Sequence, residues 1–323
     1  MTAAAVLGPE HALSFGGGSV AGLYRPVSPS EAHDVFTAAW AAGIRSFDTA
    51  PHYGNGASER RLGDFLRGRV GWCLSTKVGR LLTPDPAPPA VVNGFHSALP
   101  FRQTFSFTYD AIMRSVEDSF QRLGLNRIDI LYVHDIGDPD AGTDTDEHRA
   151  QLLGSGHRAL RELKAQGVVS AVGLGVNTVE ICEDFLGRIE IDLILLAGRY
   201  TLLEQTAQDR LFPLLARHGA RIVVGGVFNS GILATGPVEG AYYNYGPAPR
   251  EVLERTARIE AICARHDVPM AAAALQFPGS SAHVVSTLIS TSSPEALRRN
   301  VAHFNMTLPG ALWDDLRDAG LIS

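Results

Sequence analysis

The sequence predicts an α/β protein folded as a (β/α)8 barrel, with long loops after the third and seventh strands. Short apolar segments alternate eight times with longer segments of helical periodicity, which is the pattern of repeated βα units. Two of the short segments, Ile128–Val133 and Ile191–Leu196, are apolar almost throughout, as strands buried on both faces are. Because no break in composition divides the chain, we expect one barrel domain over residues 1–323, with a doubly wound open sheet as the alternative.

The predicted elements alternate in order along the chain. The predicted strands are Ala12–Gly17, Gly43–Asp48, Trp72–Lys77, Ile128–His134, Ser170–Val176, Leu193–Leu196, Arg221–Gly225 and Val284–Ile289. The predicted helices are Ser30–Ala42, Ser58–Leu66, Tyr109–Leu123, Glu147–Gln166, Thr178–Leu186, Gln208–His218, Glu251–His266 and Pro294–Phe304, followed by a packed terminal helix within Pro309–Ser323. Gly124, Gly167 and Gly219 directly follow three of these helices, where a left-handed residue is favourable.

Two segments are longer than the connections of a minimal barrel. Leu81–Thr108 carries five prolines and two aromatic clusters, and Ala234–Pro249 is rich in glycine and tyrosine. Loops of this length in a compact domain commonly act as lids or binding loops. Both follow the carboxyl end of a predicted strand, so we expect both on the face that carries the active site in such barrels.

Composition and charge exclude several classes of function. Hydrophobic residues make up 45% of the chain and charged residues 19%, and the net charge of -6 offers no basic surface for nucleic acid or an acidic membrane. No apolar run approaches a membrane span, and the N-terminus lacks the features of a signal peptide. Cys73, Cys182 and Cys263 lie far apart, which predicts neither disulfides nor a zinc site. We therefore expect a cytoplasmic protein that acts on a small molecule.

Four polar residues fall at or just after the carboxyl ends of successive predicted strands. Asp48 ends the second strand and Tyr53 follows on its loop, while Lys77 ends the third strand and His134 the fourth. A lysine at the end of an apolar strand needs a partner, and Asp48 is available on the neighbouring strand. The lysine charge would favour the phenolate of a nearby tyrosine. These residues predict a proton-transfer site for carbonyl or hydroxyl chemistry, with the histidine bound to a substrate oxygen.

Each of these residues also has a structural explanation when it is taken alone. The two charges could form an ordinary ion pair, the tyrosine could be a surface aromatic, and the histidine could be a core residue with satisfied hydrogen bonds. Their occurrence at successive strand ends favours catalysis. The neighbours His52 and Asp135 are expected mainly to shape the site, and no H-x-H or similar ligand pair predicts a metal centre.

At these residues the chain resembles the aldo-keto reductase superfamily. D-T-A-x-x-Y-G after the second strand, S-T-K at the end of the third and the histidine at the end of the fourth match that family's Asp, Tyr, Lys and His catalytic tetrad. The resemblance continues through Arg114–Asp129 and reaches Ser292–Asn300, so it covers nearly the whole chain. It implies a (β/α)8 barrel that binds an extended nicotinamide dinucleotide without a Rossmann domain.

The glycine-rich segment Gly16–Ala21 also matches G-x-G-x-x-A, a pattern found in Rossmann folds. That pattern needs a helix beginning at the glycines, but loop residues continue through Gly22–Pro26 and no acid ends a strand about 20 residues later. Gly17 and Gly18 are instead expected to let the backbone approach the nicotinamide end of the cofactor.

The resemblance further implies how the rest of the cofactor is held. The residue after the fifth strand would bind the nicotinamide carboxamide, the segment after the seventh would wrap the pyrophosphate, and the eighth strand end would hold the adenosine. The implied residues are Asn177, Phe228, Asn229, Ser230, Gly231, Leu233, Ser290, Thr291, Ser292 and Asn300. The chain departs from many members in having Ala197 for a glutamine and Gly225 or Gly226 for an aromatic residue under the nicotinamide. Phe228 is a candidate replacement for that aromatic residue.

The adenosine end bears on the choice of nucleotide. Members that prefer NADP hold the 2′-phosphate with a basic residue at the eighth strand end and an arginine on the next helix, but these positions here are Ser290 and Ala296. Because charge-assisted hydrogen bonds are the strong ones for phosphate, NAD is the predicted cofactor and NADP the alternative. The nearby Arg298 and Arg299 are expected to face solvent.

Within the superfamily, the loop after the third strand and the segment G-G-V-F-N-S-G-I-L resemble a branch that oxidises cyclic hemiacetals to lactones. The resemblance implies an aldose 1-dehydrogenase acting on a sugar such as L-fucose, D-arabinose or L-galactose, with Tyr53 as acid and base. A pyridoxal 4-dehydrogenase is the second expectation. The residues predicted to contact the substrate are Tyr24, His52, Trp72 and Phe101.

Two further functions are open at this stage. The chain could be a general aldehyde or ketone reductase, or a cofactor-binding regulatory subunit of a membrane channel, which the complete tetrad disfavours. We expect a monomer or a small homo-oligomer, without a nucleic-acid or membrane partner.

Overall fold

A closed barrel of eight parallel strands forms the centre of the molecule in a computed structural model that describes residues 6–96 and 98–323. The barrel strands are β1 Leu13–Gly16, β2 Ser46–Asp48, β3 Cys73–Val78, β4 Ile130–His134, β5 Ala171–Val176, β6 Leu193–Ala197, β7 Arg221–Gly225 and β8 Val284–Ile289. Each strand pairs with its neighbours in chain order, and β1 pairs with both β2 and β8. This closure confirms the predicted (β/α)8 barrel and excludes the open sheet.

Helices surround the barrel between successive strands. They are Pro29–Ala41, Ala57–Leu66, Tyr109–Leu123, Asp146–Gln151, His157–Ala165, Val179–Phe185, Thr206–Arg210, Phe212–His218, Ile232–Thr235, Arg250–Arg265, Met270–Gln276, Pro294–Phe304 and Gly310–Asp318. The first begins with a capping box between Ser28 and Glu31, and Gly124 ends the third in a left-handed conformation. Short 3-10 turns occupy Pro9–His11, Ser19–Ala21 and Phe277–Ser280.

Two predicted helices are interrupted in the structure, and one observed helix was not predicted. The helix expected over Glu147–Gln166 contains a π turn at Leu152–Gly156, where a Cβ on Gly156 would collide with the Phe107 carbonyl oxygen. The helix expected over Gln208–His218 is divided near Pro213, which has no N–H to donate within a continuous helix. The buried, alanine-rich helix Met270–Gln276 was not predicted.

Both long loops contain hairpins. Arg80–Pro84 pairs in antiparallel register with Phe101–Phe105, directly after β3. Tyr242–Tyr243 pairs with Gly246–Pro247 after β7. Both loops contribute side chains at the carboxyl end of the barrel, as expected for binding loops.

The barrel interior is partly polar below this end. Ser14 and Ser286 share a hydrogen bond of 2.5 Å, and Ser75 Oγ donates to Asp48 Oδ1 at 2.7 Å. The apolar core lies mainly between the barrel and its helices, where Phe36, for example, is fully buried. Within the described residues, no helix is both long and apolar enough to cross a membrane.

Candidate active site

Asp48, Lys77 and Tyr53 form one hydrogen-bonded chain at the carboxyl end of β2 and β3. Lys77 Nζ donates to Asp48 Oδ2 at 2.6 Å, to the Thr49 carbonyl oxygen at 2.9 Å and to Tyr53 Oη at 3.0 Å. The lysine side chain is only 1% exposed. Three acceptors around one ammonium group satisfy its donors, which explains how the barrel tolerates a buried cation.

The same contacts set the protonation of the lysine and the tyrosine. Burial alone lowers the pKa of Lys77, but Asp48 and Tyr53 more than offset this, so the pKa is raised and the amine stays charged. Burial raises the pKa of Tyr53, while Lys77 opposes that rise. The tyrosine is therefore a protonated phenol at neutral pH, beside a fixed positive charge that stabilises its phenolate.

His134 ends β4 and faces the same site. Its ring centroid lies 5.9 Å from that of Tyr53 and 5.7 Å from that of His52. Arg80 Nη1 lies 3.2 Å from His134 Nδ1, and Arg80 Nη2 donates to Asp135 Oδ2 at 2.6 Å. Burial, then Arg80 and Lys77, holds the pKa of His134 well below its usual range. The imidazole is neutral at neutral pH.

His52 is tied to the hairpin that follows β3. Its Nδ1 lies 3.0 Å from Gln103 Oε1, and Gln103 Nε2 donates to Asn55 Oδ1 at 2.7 Å. Asn55 Nδ2 in turn donates to the carbonyl oxygens of Leu99 and Phe101. The loop after β2 and the hairpin are therefore one hydrogen-bonded unit, and Gln103 and Asn55 hold this loop in place through contacts that the sequence did not predict.

A cavity of about 510 Å³ opens above the four polar residues. Tyr24 and His52, two of the residues predicted to contact the substrate, line it, and Asp48, Tyr53, Lys77 and His134 form part of its wall. Sequence reasoning did not identify three further lining residues, Asn93, Phe95 and Tyr245, although all lie in or beside the two loops that it assigned to this face. The volume is within the range of small-molecule sites.

The mouth of the cavity carries unusual backbone conformations. Tyr24 has φ +67° and Tyr245 has φ +64°, in the left-handed region that tyrosine rarely adopts. Both side chains are largely exposed, at 70% each. Residues held in such conformations cluster at binding and catalytic sites, and these two place aromatic rings on opposite loops of the entrance.

Two predicted substrate residues are not among those that line the cavity. Trp72 precedes β3, so it lies at the amino end of the barrel, where it stacks under Arg127 at 4.2 Å and donates to the Arg69 carbonyl oxygen. Phe101 begins the second hairpin strand and is half-buried there. The prediction for Trp72 is wrong because the residue before a barrel strand lies at the opposite end of the barrel, and the loop after β3 contributes Phe95 to the cavity rather than Phe101.

The predicted nicotinamide residues lie on the cavity wall. Gly18 and Asn177 line it, together with Gly225, Gly226 and Ser290, the last of which was predicted for the adenosine end. A Cβ at Gly18 would meet nothing within 4 Å, so a flat ring has room there. Gly17 lies one residue deeper, where its amide donates to the Asp48 carbonyl oxygen.

Asn177 has a free hydrogen-bonding oxygen. Its Nδ2 makes long hydrogen bonds, of 3.4 Å to Asp135 Oδ1 and 3.3 Å to Asp138 Oδ2, whereas its Oδ1 accepts none within the described part of the chain. An amide oxygen facing a cavity suits a carboxamide N–H, so the residues present fit a nicotinamide.

The predicted pyrophosphate segment lies beside the cavity rather than in its wall. Phe228 packs against the apolar core, Leu233 is fully buried, and Asn229 accepts from Thr201 Oγ1 at 2.6 Å. Ser230 Oγ accepts from the amide of Tyr245 at 3.0 Å, which ties this segment to the cavity mouth, and Gly231 has φ +104°. Phe228 is therefore not placed to stack on a nicotinamide ring, whereas Tyr245 reaches the cavity.

The predicted adenosine residues lie around the end of β8. Ser290 Oγ donates to the Gly16 carbonyl oxygen at 2.8 Å, and Thr291 Oγ1 accepts from the Ser293 amide. Arg25 donates to Ser292 Oγ at 3.2 Å and pairs with Glu31 at 3.0 Å, so this guanidinium group already has a carboxylate partner. The remaining residues of this end are Asn300, which is half-buried, and Arg298 and Arg299, which are exposed.

No group of three or more His, Cys, Asp or Glu side chains suited to a metal ion occurs in residues 6–96 and 98–323. The ion pairs that do occur near the site, such as Arg80 with Asp135, join one acid to one base.

Comparisons with known families, sequences and structures agree with one another. The profile of the Aldo/keto reductase family matches residues 12–320. The chain is 45% identical to a pyridoxal 4-dehydrogenase from Microbacterium luteolum, over 97% of this chain and 94% of that protein. It is 43% identical to a D-threo-aldose 1-dehydrogenase from Pseudomonas sp, over 96% and 94% respectively. The holo form of the aldo-keto reductase AKR11C1 from Bacillus halodurans shares the fold, with a TM-score of 0.73, 23% identity, and coverage of 97% of this chain and 92% of that one. The chain therefore belongs to the aldo/keto reductase family, whose members are oxidoreductases that use NAD or NADP.

Proposed function

We propose that this protein is an NAD-dependent dehydrogenase that oxidises the anomeric carbon of a cyclic hemiacetal to a lactone, with an aldose as its substrate. The observation that carries the proposal is the contact of 3.0 Å between Lys77 Nζ and Tyr53 Oη under a cavity of small-molecule size. The relative at 43% identity, which is named a D-threo-aldose 1-dehydrogenase, supports the same reaction class.

The protein's own residues perform the proton transfer. Tyr53, as phenolate, accepts the proton of the anomeric hydroxyl group, and Lys77 stabilises the negative charge before the transfer. His134 donates a hydrogen bond to the same substrate oxygen and so holds the carbon–hydrogen bond in one orientation. Asp48 keeps Lys77 charged and in place. As the O–H and C–H bonds break, the anomeric C–O bond becomes the carbonyl of the lactone.

A bound NAD supplies the acceptor for the hydride that leaves the anomeric carbon. Asn177 would hold its nicotinamide end, with Gly18, Gly225 and Gly226 giving the ring room. We assign NAD rather than NADP because Ser290 and Ala296 bring no cation to a 2′-phosphate, and Arg25 is already paired with Glu31.

Pyridoxal is the second candidate substrate. It also forms a cyclic hemiacetal, and the relative at 45% identity is named a pyridoxal 4-dehydrogenase. The rings of Tyr24, Phe95 and Tyr245 around the cavity suit a flat pyridine as well as a pyranose face. The same proton transfer by Tyr53 would then give a pyridine-fused lactone.

Initial rates of NADH and NADPH formation distinguish these functions. L-fucose, D-arabinose, L-galactose and pyridoxal would each be supplied with either NAD or NADP. We expect turnover of at least one sugar with NAD and little with pyridoxal or with NADP. Pyridoxal as the sole good substrate would support the second candidate. Oxidation of NADPH by simple aldehydes, without reaction of the four hemiacetals, would contradict both and indicate a general reductase. A protein that turns over none of these but binds a membrane partner would be a regulatory subunit.

A further inference from the structure

Arg80 contacts the catalytic histidine, although it matches no part of the predicted tetrad. We propose that Arg80 is a positioning residue that fixes the proton of His134 on Nε2 and so determines which hydrogen bond the histidine offers to the substrate oxygen. The inference rests on the proposed function for its catalytic consequence, but the proton position itself can be tested without turnover.

Because arginine only donates hydrogen bonds, its contact with His134 determines which ring nitrogen carries the proton. Arg80 Nη1 lies 3.2 Å from His134 Nδ1, and a guanidinium group donates hydrogen bonds but cannot accept them. His134 Nδ1 must therefore accept, so it carries no proton. A neutral imidazole with an unprotonated Nδ1 bears its proton on Nε2.

The Nε2–H group of His134 has no acceptor at normal hydrogen-bond distance among the described residues. Among the described residues, the carboxylate oxygen near this nitrogen is Asp135 Oδ2, at 3.5 Å, outside normal hydrogen-bond distance. That oxygen already accepts from Arg80 Nη2 at 2.6 Å. Because His134 lines the cavity, the Nε2–H group is available to a substrate oxygen.

The charged and titratable groups that face His134 come from four parts of the chain. They are Lys77 on β3, His52 and Tyr53 on the loop after β2, Arg80 on the hairpin, and Asp135 directly after β4. The two cations and burial disfavour an imidazolium, and they keep the pKa of His134 low. Without Arg80, the carboxylate of Asp135 would be left beside the ring and would favour a protonated histidine.

The anchoring of Arg80 fits a positioning role. Its side chain is 4% exposed and lies 4.9 Å from the ring centroid of Phe105, on the other strand of the hairpin. Asp135, its ion-pair partner, also accepts from Asn177 Nδ2 at 3.4 Å. One ion pair thus joins the histidine to the asparagine proposed to hold the nicotinamide. A buried ion pair contributes little net stability, so its value here lies in the arrangement that it imposes.

Histidine 15N chemical shifts report the proton position in the wild-type protein directly. Uniformly 15N-labelled protein would be recorded with and without NAD across about pH 6 to pH 9, and His134→Gln would identify the signals of His134. We expect a neutral ring with the proton on Nε2 that does not titrate in this range. A proton on Nδ1, or an imidazolium at neutral pH, would overturn the proposal whether or not the enzyme oxidises a hemiacetal.

Variants then separate positioning from folding. Arg80→Met removes the donor, and we expect His134 to titrate, kcat to fall by about tenfold or more, and an acid limb to enter the kcat/KM profile with a smaller effect on KM. Arg80→Lys, which keeps one donor, should restore part of kcat. Arg102→Met is the matched control, since Arg102 is exposed on the partner strand of the same hairpin, and it should change neither spectrum nor profile. An Arg80→Met protein that keeps Nε2–H and the wild-type profile would contradict the inference.

Discussion

At the scale of single residues, the site depends on a lysine that stays charged although its side chain is only 1% exposed. Lys77 offers its donors to a carboxylate, a carbonyl oxygen and a phenol, each within 3.0 Å. Of these three neighbours, Tyr53 is the one that can lose a proton, and the positive charge of Lys77 stabilises its phenolate. This arrangement gives the tyrosine its proposed role and makes that role testable by removal of a single oxygen.

Removal of the Tyr53 hydroxyl should abolish most of the turnover. General acid–base groups contribute roughly 10²–10⁴-fold, so we expect kcat of Tyr53→Phe to fall within about that range while NAD binding persists. Tyr109→Phe is the matched control, because its hydroxyl donates to Glu162 Oε2 at 2.7 Å and does not line the cavity. Near-normal steady-state rates in a folded Tyr53→Phe protein would show that another group transfers the proton.

The pH dependence of oxidation should follow the same tyrosine. Oxidation needs the phenolate, and burial raises the pKa of Tyr53 while Lys77 lowers it. We therefore expect kcat/KM for oxidation to rise from about pH 6 towards about pH 10. In Lys77→Met the opposing charge is lost, so the limb should move to higher pH and the rate at neutral pH should drop. A limb that stayed in place or moved to lower pH would show that Lys77 does not stabilise the phenolate.

Sequence anticipates which predicted site residues lie together where position along a strand determines position in space. Asp48, Lys77 and His134 surround one cavity because parallel strands end on one face. Trp72 lies away from that cavity for the same reason, since it directly precedes β3 at the opposite end of the barrel. Arg80, Phe95 and Tyr245 could not be identified, because their contacts join residues tens of positions apart and no local pattern encodes them. Their only sequence signal was membership of, or adjacency to, the two long loops.

At the scale of elements, the helix Ala57–Leu66, which follows the loop after β2, is fastened to the helix Tyr109–Leu123 by a close approach and a buried charge. Glu59, in its first turn, is fully buried and accepts from Arg122 Nε at 2.5 Å and from Thr76 Oγ1 at 2.8 Å. Gly63, one turn later, contacts the carbonyl of Leu123 so closely that a Cβ would collide with it. The helix Ala57–Leu66 therefore positions the end of the loop that carries Tyr53.

Gly63→Ala should destabilise the fold although alanine is the better helix former. Overpacking costs typically about 1–3 kcal/mol, so we expect a loss of that size in the free energy of unfolding, measured in urea. Gly154→Ala is the control, because Gly154 is also in a helical segment and a Cβ there meets nothing within 4 Å. The control should be neutral or more stable by up to about 1 kcal/mol. Equal effects at both positions would refute the packing explanation.

Elements whose pattern is local were predictable, and those formed by long-range pairing were not. The eight barrel strands appear within one to three residues of their predicted bounds. The hairpin of Arg80–Pro84 with Phe101–Phe105 encloses a proline-rich segment, so its two strands lack the short turn that marks a hairpin in sequence. The helix Met270–Gln276 is apolar on all sides, and such a segment has no amphipathic period to detect.

At the scale of the whole molecule, buried neutral histidines couple the active site to stability. Burial lowers the pKa of His52 to about 3, and the pKa of His134 is lowered in the same direction. Below the unfolded pKa of about 6.5, these two histidines are protonated in the unfolded chain but remain neutral in the folded protein. The free energy of unfolding should therefore fall as the pH drops from about 6.5 towards the folded pKa values.

His52→Gln should reduce this acid sensitivity. One such proton costs about 1.4 kcal/mol per pH unit, so we expect the wild type to lose about 1–2 kcal/mol more than His52→Gln between about pH 7 and about pH 5. His218→Gln, at an exposed histidine, is the control and should behave as the wild type.

An unfolding curve at each pH also tests the expectation of one domain over residues 1–323, since fluorescence and circular dichroism should give coincident transitions. Two separate transitions would contradict it.

The hairpin after β3 restricts how the substrate specificity of this enzyme can change during evolution. Gln103 contacts His52 and Asn55 on the loop after β2, and Arg80 contacts His134, so the hairpin is fastened to the residues of the proposed catalytic site. Loops that vary freely in barrels are attached only at their ends, and their recombination leaves the catalytic groups undisturbed. Here a chimera that receives a foreign hairpin would also need Arg80, Gln103 and Asn55 to match. Laboratory evolution of new specificity should therefore proceed faster through the tip of this hairpin, around Phe95, and through the Tyr245 loop than through replacement of the hairpin as a module.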